Sequence, residues 1–267
     1  MKKIAFLGLF ALSTLLISCE EDDNNTNNNQ EPTDTKVTPK FMYDYNFGAD
    51  DFQLDQYYAL DGGAQVSFSL ASFYISQPTL VDDNDVETPL TPEYIIVRPG
   101  DGPTSFDAIE SGHAHRLKFN VGIDAATNTE NGASGVQPSD FTDPNHPLAP
   151  QPEGMYWSWA SGYIFVKLEG AYDYDGDSQA DTTFKYHLGV NDLLQVKDVM
   201  LHSDMAGGED FEVDIKLDLK EVFTNLDINT EVLTMTMGGP ENKALATKII
   251  QNFANGISVE KHDHGSN

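Results

Sequence analysis

Phe211-Glu212-Val213-Asp214-Ile215-Lys216-Leu217-Asp218-Leu219 alternates without a break between apolar and charged side chains. Successive side chains on a strand point to opposite faces, so this run buries one face and wets the other, as a half-buried antiparallel strand requires. Working outward, strand-like runs recur at residues 66–70, 73–75, 94–97, 117–123, 163–168, 184–188, 196–201 and 232–237, separated by Gly, Pro, Asn and Asp clusters that mark turns. Helical spacing is convincing only near the end, where Leu245, Ile249 and Phe253 share a face and Gly256 follows as a stop. Many short strands and one late helix predict an all-β fold: an antiparallel β-sandwich or open barrel with a short C-terminal helix.

The flanks of this pattern read differently. Lys2 and Lys3 precede an apolar run over residues 4–17, too short to span a bilayer, so residues 1–18 are expected to be a signal peptide. It ends in Leu16-Ile17-Ser18-Cys19, which resembles the lipobox of bacterial lipoproteins and makes Cys19 the expected lipidation site. Cys19 is the one cysteine, so no disulfide forms within a chain. Residues 19–38, rich in Asn, Thr, Gln and Pro, have little to bury and are expected to form a solvated tether. Glu20-Glu21-Asp22-Asp23 directly behind Cys19 resembles a surface-export signal, which favours display on the outer-membrane surface over a periplasm-facing position. One domain is expected over residues 39–260, followed by a disordered tail at 261–267 that carries His262 and His264. The formal net charge is −28, and loss of Lys2 and Lys3 with the signal peptide makes it more negative. Such a surface repels nucleic acid and anionic headgroups, leaving the lipid as the expected membrane contact.

The most specific local signal is Asp173-Tyr174-Asp175-Gly176-Asp177-Ser178-Gln179-Ala180-Asp181. Its acids fall at loop positions one, three, five and nine. A hard cation needs six to eight oxygens, and alternate residues of a tight loop supply them, with the Gln179 carbonyl available at position seven. The spacing resembles the calcium loops of integrin-type propeller repeats and departs from an EF-hand, since Ser178 stands where glycine is usual and strands flank the loop. The expected role of calcium is structural; the alternative is a solvated acidic hairpin tip.

Asn145-His146-Pro147-Leu148, Met155-Tyr156-Trp157-Ser158-Trp159-Ala160-Ser161-Gly162-Tyr163 and Phe184-Lys185-Tyr186-His187-Leu188-Gly189 contain both tryptophans of the chain. Taken by itself, Trp157-x-Trp159 is a core aromatic pair on one strand face. Taken together, these segments resemble the MbnP-like copper-binding family, in a Met-aromatic-Trp-x-Trp-x-x-Gly-Tyr stretch and a following His-Leu-Gly strand. Residues 68–76, ending in Tyr74-Ile75-Ser76, and residues 117–123 resemble further strands of that family, as do Asp143-Pro144-Asn145-His146 and Leu148-Ala149-Pro150. The resemblance implies an extracytoplasmic β-sandwich that binds copper through imidazoles, in some members with a tryptophan oxidised to kynurenine. The matching positions are His146, Trp157, Trp159 and His187. Many relatives carry a cysteine pair after the His-Leu-Gly strand, where Asn191-Asp192-Leu193-Leu194 stands here.

Further histidines offer weaker copper ligands. His113 and His115 stand two apart, so in a strand both rings face one way and can share a metal, whereas at a loop end they face water. Met200-Leu201-His202-Ser203-Asp204-Met205 mixes thioethers with an imidazole, a set suited to soft copper(I), and Met200 and His202 would share a strand face. No nucleophile elbow, His-Glu-x-x-His helix or phosphate-binding glycine loop occurs, so no enzyme is expected. Two functions remain: a lipid-anchored copper protein for acquisition, storage or delivery to a protein partner, and a surface module that keeps calcium and recognises a protein or glycan.

Overall fold

In chain order the strands are β1 (Lys36–Phe47), β2 (Asp50–Asp51), β3 (Tyr57–Ala59), β4 (Gln65–Val81), β5 (Glu87–Pro89), β6 (Tyr94–Val97), β7 (Thr104–Ser105), β8 (Ile109–Glu110), β9 (Gly112–Val121), β10 (Tyr156–Ser158), β11 (Gly162–Tyr163), β12 (Val166–Asp173), β13 (Thr182–Leu188), β14 (Gln195–Met205), β15 (Asp210–Asp218) and β16 (Ile257–Lys261), with one helix, α1 (Pro240–Asn255). This computed structural model describes residues 35–128, 135–158, 162–232 and 240–263. Cys19 and the signal peptide, Trp159, His264 and most of the run expected at 232–237 lie outside the described residues.

The strands form an all-β sandwich. One sheet runs β16-β15-β1, with β2, β7 and β8 on the other side of β1; the second runs β13-β12-β4-β9-β14, with β3, β5 and β6 also paired to β4. The alternation that marks β15 is met in the structure: Phe211, Val213, Ile215 and Leu217 are buried and their charged neighbours are half-buried. Phe47 and Phe68, one from each sheet, meet with ring centroids 6.5 Å apart, and Phe184 packs edge-on against Phe68 at 5.5 Å. In α1, Ile249 and Phe253 are fully buried and the Phe253 ring meets Phe73 at 5.2 Å. Gly256 follows the helix, and glycine is required there because a Cβ would lie 2.4 Å from the Asp218 carbonyl.

Four features differ from expectation. The sheet pairs are antiparallel except β1 with β15, which run parallel from Thr38 opposite Asp210 to Asn46 opposite Asp218. β1 begins at Lys36, inside the stretch expected to be tether: Ser111 N–H donates to the Thr35 carbonyl and Gly208 N–H to the Lys36 carbonyl, each at 2.7 Å. Lys261 still pairs with Val213, and His262 bonds Asp214 at 2.7 Å, so the C-terminal tail starts later than 261. The runs 66–70 and 73–75 are one strand, β4, in which residues 71–76 are all buried because the strand has neighbours on both sides and is covered on both faces, erasing the alternation.

Candidate metal centres

Strand β9 projects His113 and His115 toward one side, with the buried Ala114 between them turned to the core. Across the ladder, β14 carries two residues, Leu201 and His202, where β9 has one, His115; the register slips between Met200, opposite Arg116, and Ser203, opposite Ala114. This is a β-bulge, and His202 absorbs it with a positive φ of 46°. The bulge brings the third imidazole to the other two. One ligand nitrogen from each of His113, His115 and His202 lies within 4.8 Å of the others. The His115 and His202 rings meet edge-on at 4.3 Å, and those of His113 and His202 are 6.3 Å apart.

Two carboxylates flank this cluster, each in contact with His113 or His115 and outside the group of three, and neither stood out in the sequence. Asp204 Oδ1 lies 2.7 Å from His113 Nδ1, and this hydrogen bond raises the His113 pKa. Asp83 stands in the hairpin between β4 and β5, its Oδ1 2.9 Å from His115 Nδ1 and 3.9 Å from His113 Nε2. The closer contact is out of line for a hydrogen bond, and His115 Nδ1 is buried with no hydrogen-bond partner. The hairpin tip is held in place. Asp82 Oδ1 accepts the Asn84 and Val86 N–H groups at 2.7 and 2.9 Å, Arg116 links Asp85 to Asp198 at 2.5 and 2.8 Å, and Lys118 pairs with Glu87 at 2.6 Å. Met200 is exposed and in register with Arg116, while Met205 is buried in the core. The only signal for Asp83 in the sequence is its place in an acidic turn, Asp82-Asp83-Asn84-Asp85.

The second centre is the loop between β12 and β13. Asp173, Asp175 and Asp177 each bring a carboxylate oxygen within 4.8 Å of the others. Asp173 is fully buried, its Oδ1 accepting from the Gly176 amide and its Oδ2 from the Ser178 amide, both at 2.7 Å. Burial pushes its pKa up, but these amides and that of Asp177 outweigh it and hold the carboxyl below its usual value. The Asp177 amide draws Asp175 down, yet repulsion from Asp177, Asp181 and Asp173, together with burial, leaves Asp175 raised. Asp181 accepts the Tyr174 N–H at 2.7 Å, and Gln179 donates its amide N–H to Asp177 at 2.8 Å.

The residues singled out by resemblance have other partners. His146 stacks on Phe141 with centroids 4.0 Å apart and an interplanar angle of 14°, and its Nδ1 accepts the Leu148 N–H at 3.1 Å. Burial lowers its pKa, against an upward pull from Asp143. His187, on β13, bonds Glu169 through Nε2 at 2.7 Å; burial lowers the imidazole and outweighs that contact. Burial pushes Glu169 up, and the His187 bond with nearby positive charge brings it below its usual value, so a neutral imidazole donating to a carboxylate fits both directions. Trp157 is half-buried on β10. Among the described residues, the histidine, cysteine and acidic side chains gather in threes at the two centres above, and neither His146 nor His187 belongs to them.

The glycines of the same motifs have a packing role. At Gly162, with φ 73°, a Cβ would lie 1.9 Å from Oδ1 of the buried Asn128, which accepts the Tyr163 N–H at 2.9 Å. At Gly189 a Cβ would lie 2.3 Å from the Tyr163 carbonyl. Tyr163 and Tyr74 in turn donate their hydroxyls to the Leu148 and Pro147 carbonyls at 3.0 Å, fixing the loop that carries His146.

The family description MbnP matches residues 35–238. Among solved structures, the fold is similar to that of MbnP from Methylosinus trichosporium, with a TM-score of 0.51 and 14% identity over 85% of this chain and 99% of that one. No curated protein sequence matches the chain.

Proposed function

Because the chain belongs to the MbnP family, we propose that it is a non-catalytic envelope lipoprotein, anchored through Cys19, that binds copper for acquisition, storage or delivery and holds it at His113, His115 and His202. The observation that carries this reading is the convergence of three imidazole nitrogens within 4.8 Å. Imidazole is a good ligand for copper, and a set drawn from two strands of one sheet is preorganised, so binding orders little that is not already ordered. His113 Nδ1 is engaged by Asp204, which leaves Nε2 as its ligand atom; a carboxylate behind an imidazole fixes the tautomer and raises the basicity of the other nitrogen. The copper ion is cargo in this account. It supplies no reaction.

Calcium belongs to the same proposal as a structural ion held by Asp173, Asp175 and Asp177, with Gln179 and Asp181 completing the loop. What supports it is the approach of three carboxylates that repel one another until a cation neutralises them.

The test is the metal content of the untagged full chain, carrying His262→Asn and His264→Asn to remove adventitious ligands, after dialysis against trace copper and calcium. One copper per chain is expected, lost in His115→Ala and in His202→Ala and kept in His146→Ala and His187→Ala. Retention in the first pair would refute the site; loss in the second pair would move copper to the positions indicated by resemblance.

A further inference from the structure

We propose that Asp83 is a fourth ligand of the three-histidine centre and makes it selective for a divalent ion, copper(II) or zinc(II), over copper(I). The inference rests on the metal reading of His113, His115 and His202 and adds the class of ion.

Three observations carry it. First, Asp83 Oδ1 and His115 Nδ1 are 2.9 Å apart without the alignment of a hydrogen bond, and the nitrogen is buried with no hydrogen-bond partner. Two ligands bound to one ion at roughly 2.0–2.1 Å sit roughly 3 Å from each other. An imidazole nitrogen and a carboxylate oxygen at that distance suit joint coordination of one ion. Second, the same oxygen is 3.9 Å from Nε2 of His113, the atom that Asp204 leaves to face the ion, so Asp83 addresses two of the three imidazoles at once. Third, the carboxylate is delivered by a stiffened hairpin. Asp82 caps the tip, and the Asp85–Arg116 and Glu87–Lys118 pairs tie it to β9, so Asp83 is held over the site without being part of either histidine strand.

The donor set decides the ion. Copper(I) is soft and is favoured by thioethers, yet Met205 is buried in the core and Met200 is exposed on β14 in register with Arg116, not with a histidine. One carboxylate among three neutral imidazoles attracts a dication about twice as strongly as a monocation at the same distance, and carboxylate oxygen is a hard ligand. Between the divalent ions, the general affinity order places copper(II) above zinc(II).

The test uses the full chain with His262→Asn and His264→Asn and compares wild type at the centre with Asp83→Asn and His115→Ala. Asp83 is 59% exposed at its side chain, so the amide should leave the fold intact. Affinities for copper(II), zinc(II) and, under reducing conditions, copper(I) are measured by competition with chromophoric chelators, and the copper(II) spectrum by electron paramagnetic resonance. Asp83→Asn should weaken copper(II) and zinc(II) by about tenfold or more, change the copper(II) spectrum, and leave copper(I) within about threefold. An unchanged copper(II) affinity and spectrum in Asp83→Asn, with binding lost in His115→Ala, would overturn the role of Asp83 alone. Equal weakening of copper(I) and copper(II) would overturn the selectivity. Binding that survives His115→Ala would instead overturn the three-histidine reading beneath it.

Discussion

Gly162→Ala tests whether the motif shared with the MbnP family is built on packing. The new Cβ would lie 1.9 Å from Asn128 Oδ1 and 2.7 Å from its Cγ, far inside contact distance, and the backbone at φ 73° disfavours any side chain. Left-handed backbone costs about 1 kcal/mol for alanine. Asn128 is fully buried and bridges the Tyr163 N–H to Asn191 Oδ1, both at 2.9 Å, so moving it aside breaks at least one buried hydrogen bond, worth about 1–3 kcal/mol. The sum is about 3 kcal/mol, and at about 2–4 °C per kcal/mol for a domain of this size the melting temperature should fall by about 6–12 °C. Thermal and urea unfolding followed by circular dichroism measure this directly. A double-mutant cycle sharpens it: in an Asn128→Ala background the same substitution should cost distinctly less, because the obstructing amide is gone. A loss below about 1 kcal/mol, or equal costs in both backgrounds, would refute the packing argument.

Other expectations follow from the same structure. Asp175→Asn should abolish any calcium-dependent rise in melting temperature without lowering the calcium-free value, since the amide relieves the repulsion from Asp177, Asp181 and Asp173; a calcium response that survives would remove Asp175 from the ligand set. Tyr172→Phe deletes the buried 2.6 Å hydroxyl pair with Tyr186 and should cost about 1–3 kcal/mol in urea unfolding. For His187, burial lowers the folded-state pKa below the unfolded value of 6.5, so the unfolded chain takes up the proton first and stability declines as pH falls below about 6.5. His187→Gln should flatten that part of the stability profile, and an unchanged slope would show that other groups set it.

A wet face made one strand legible in the sequence, and an unbroken apolar run between turn residues marked others. Residues 211–219 show the first, and Tyr94–Val97, which matches β6 end to end, shows the second. β4 read as two fragments because burial on both faces leaves no alternation to see. β1 went unread although Val37, Phe41, Tyr45 and Phe47 are buried, because it follows directly on a polar tract and its long partner, β15, lies most of the chain away. The candidate metal centre was half visible. His113 and His115 announce themselves by spacing, but His202 joins them through a bulge whose positive φ no residue pattern marks, and Asp83 arrives from a separate hairpin. The resemblance drew attention to His146 and His187, whereas the structure gives the glycines of those motifs their clearest role, in close packing around Asn128 and Tyr163.

The hydrogen bond from Ser111 to the Thr35 carbonyl fixes where the chain enters the domain, and His113 is only two residues farther along. Two strand residues span roughly 7 Å, so the imidazole cluster stands close to Thr35, at the start of the described domain. Sixteen residue steps separate Cys19 from Thr35, and a fully extended chain of that length reaches at most about 58 Å. Were Cys19 lipidated as proposed, the candidate centre would stay within that reach of the bilayer, and ion exchange with a membrane-embedded acceptor would be a local encounter whose rate is set by leash length more than by the concentration of free protein.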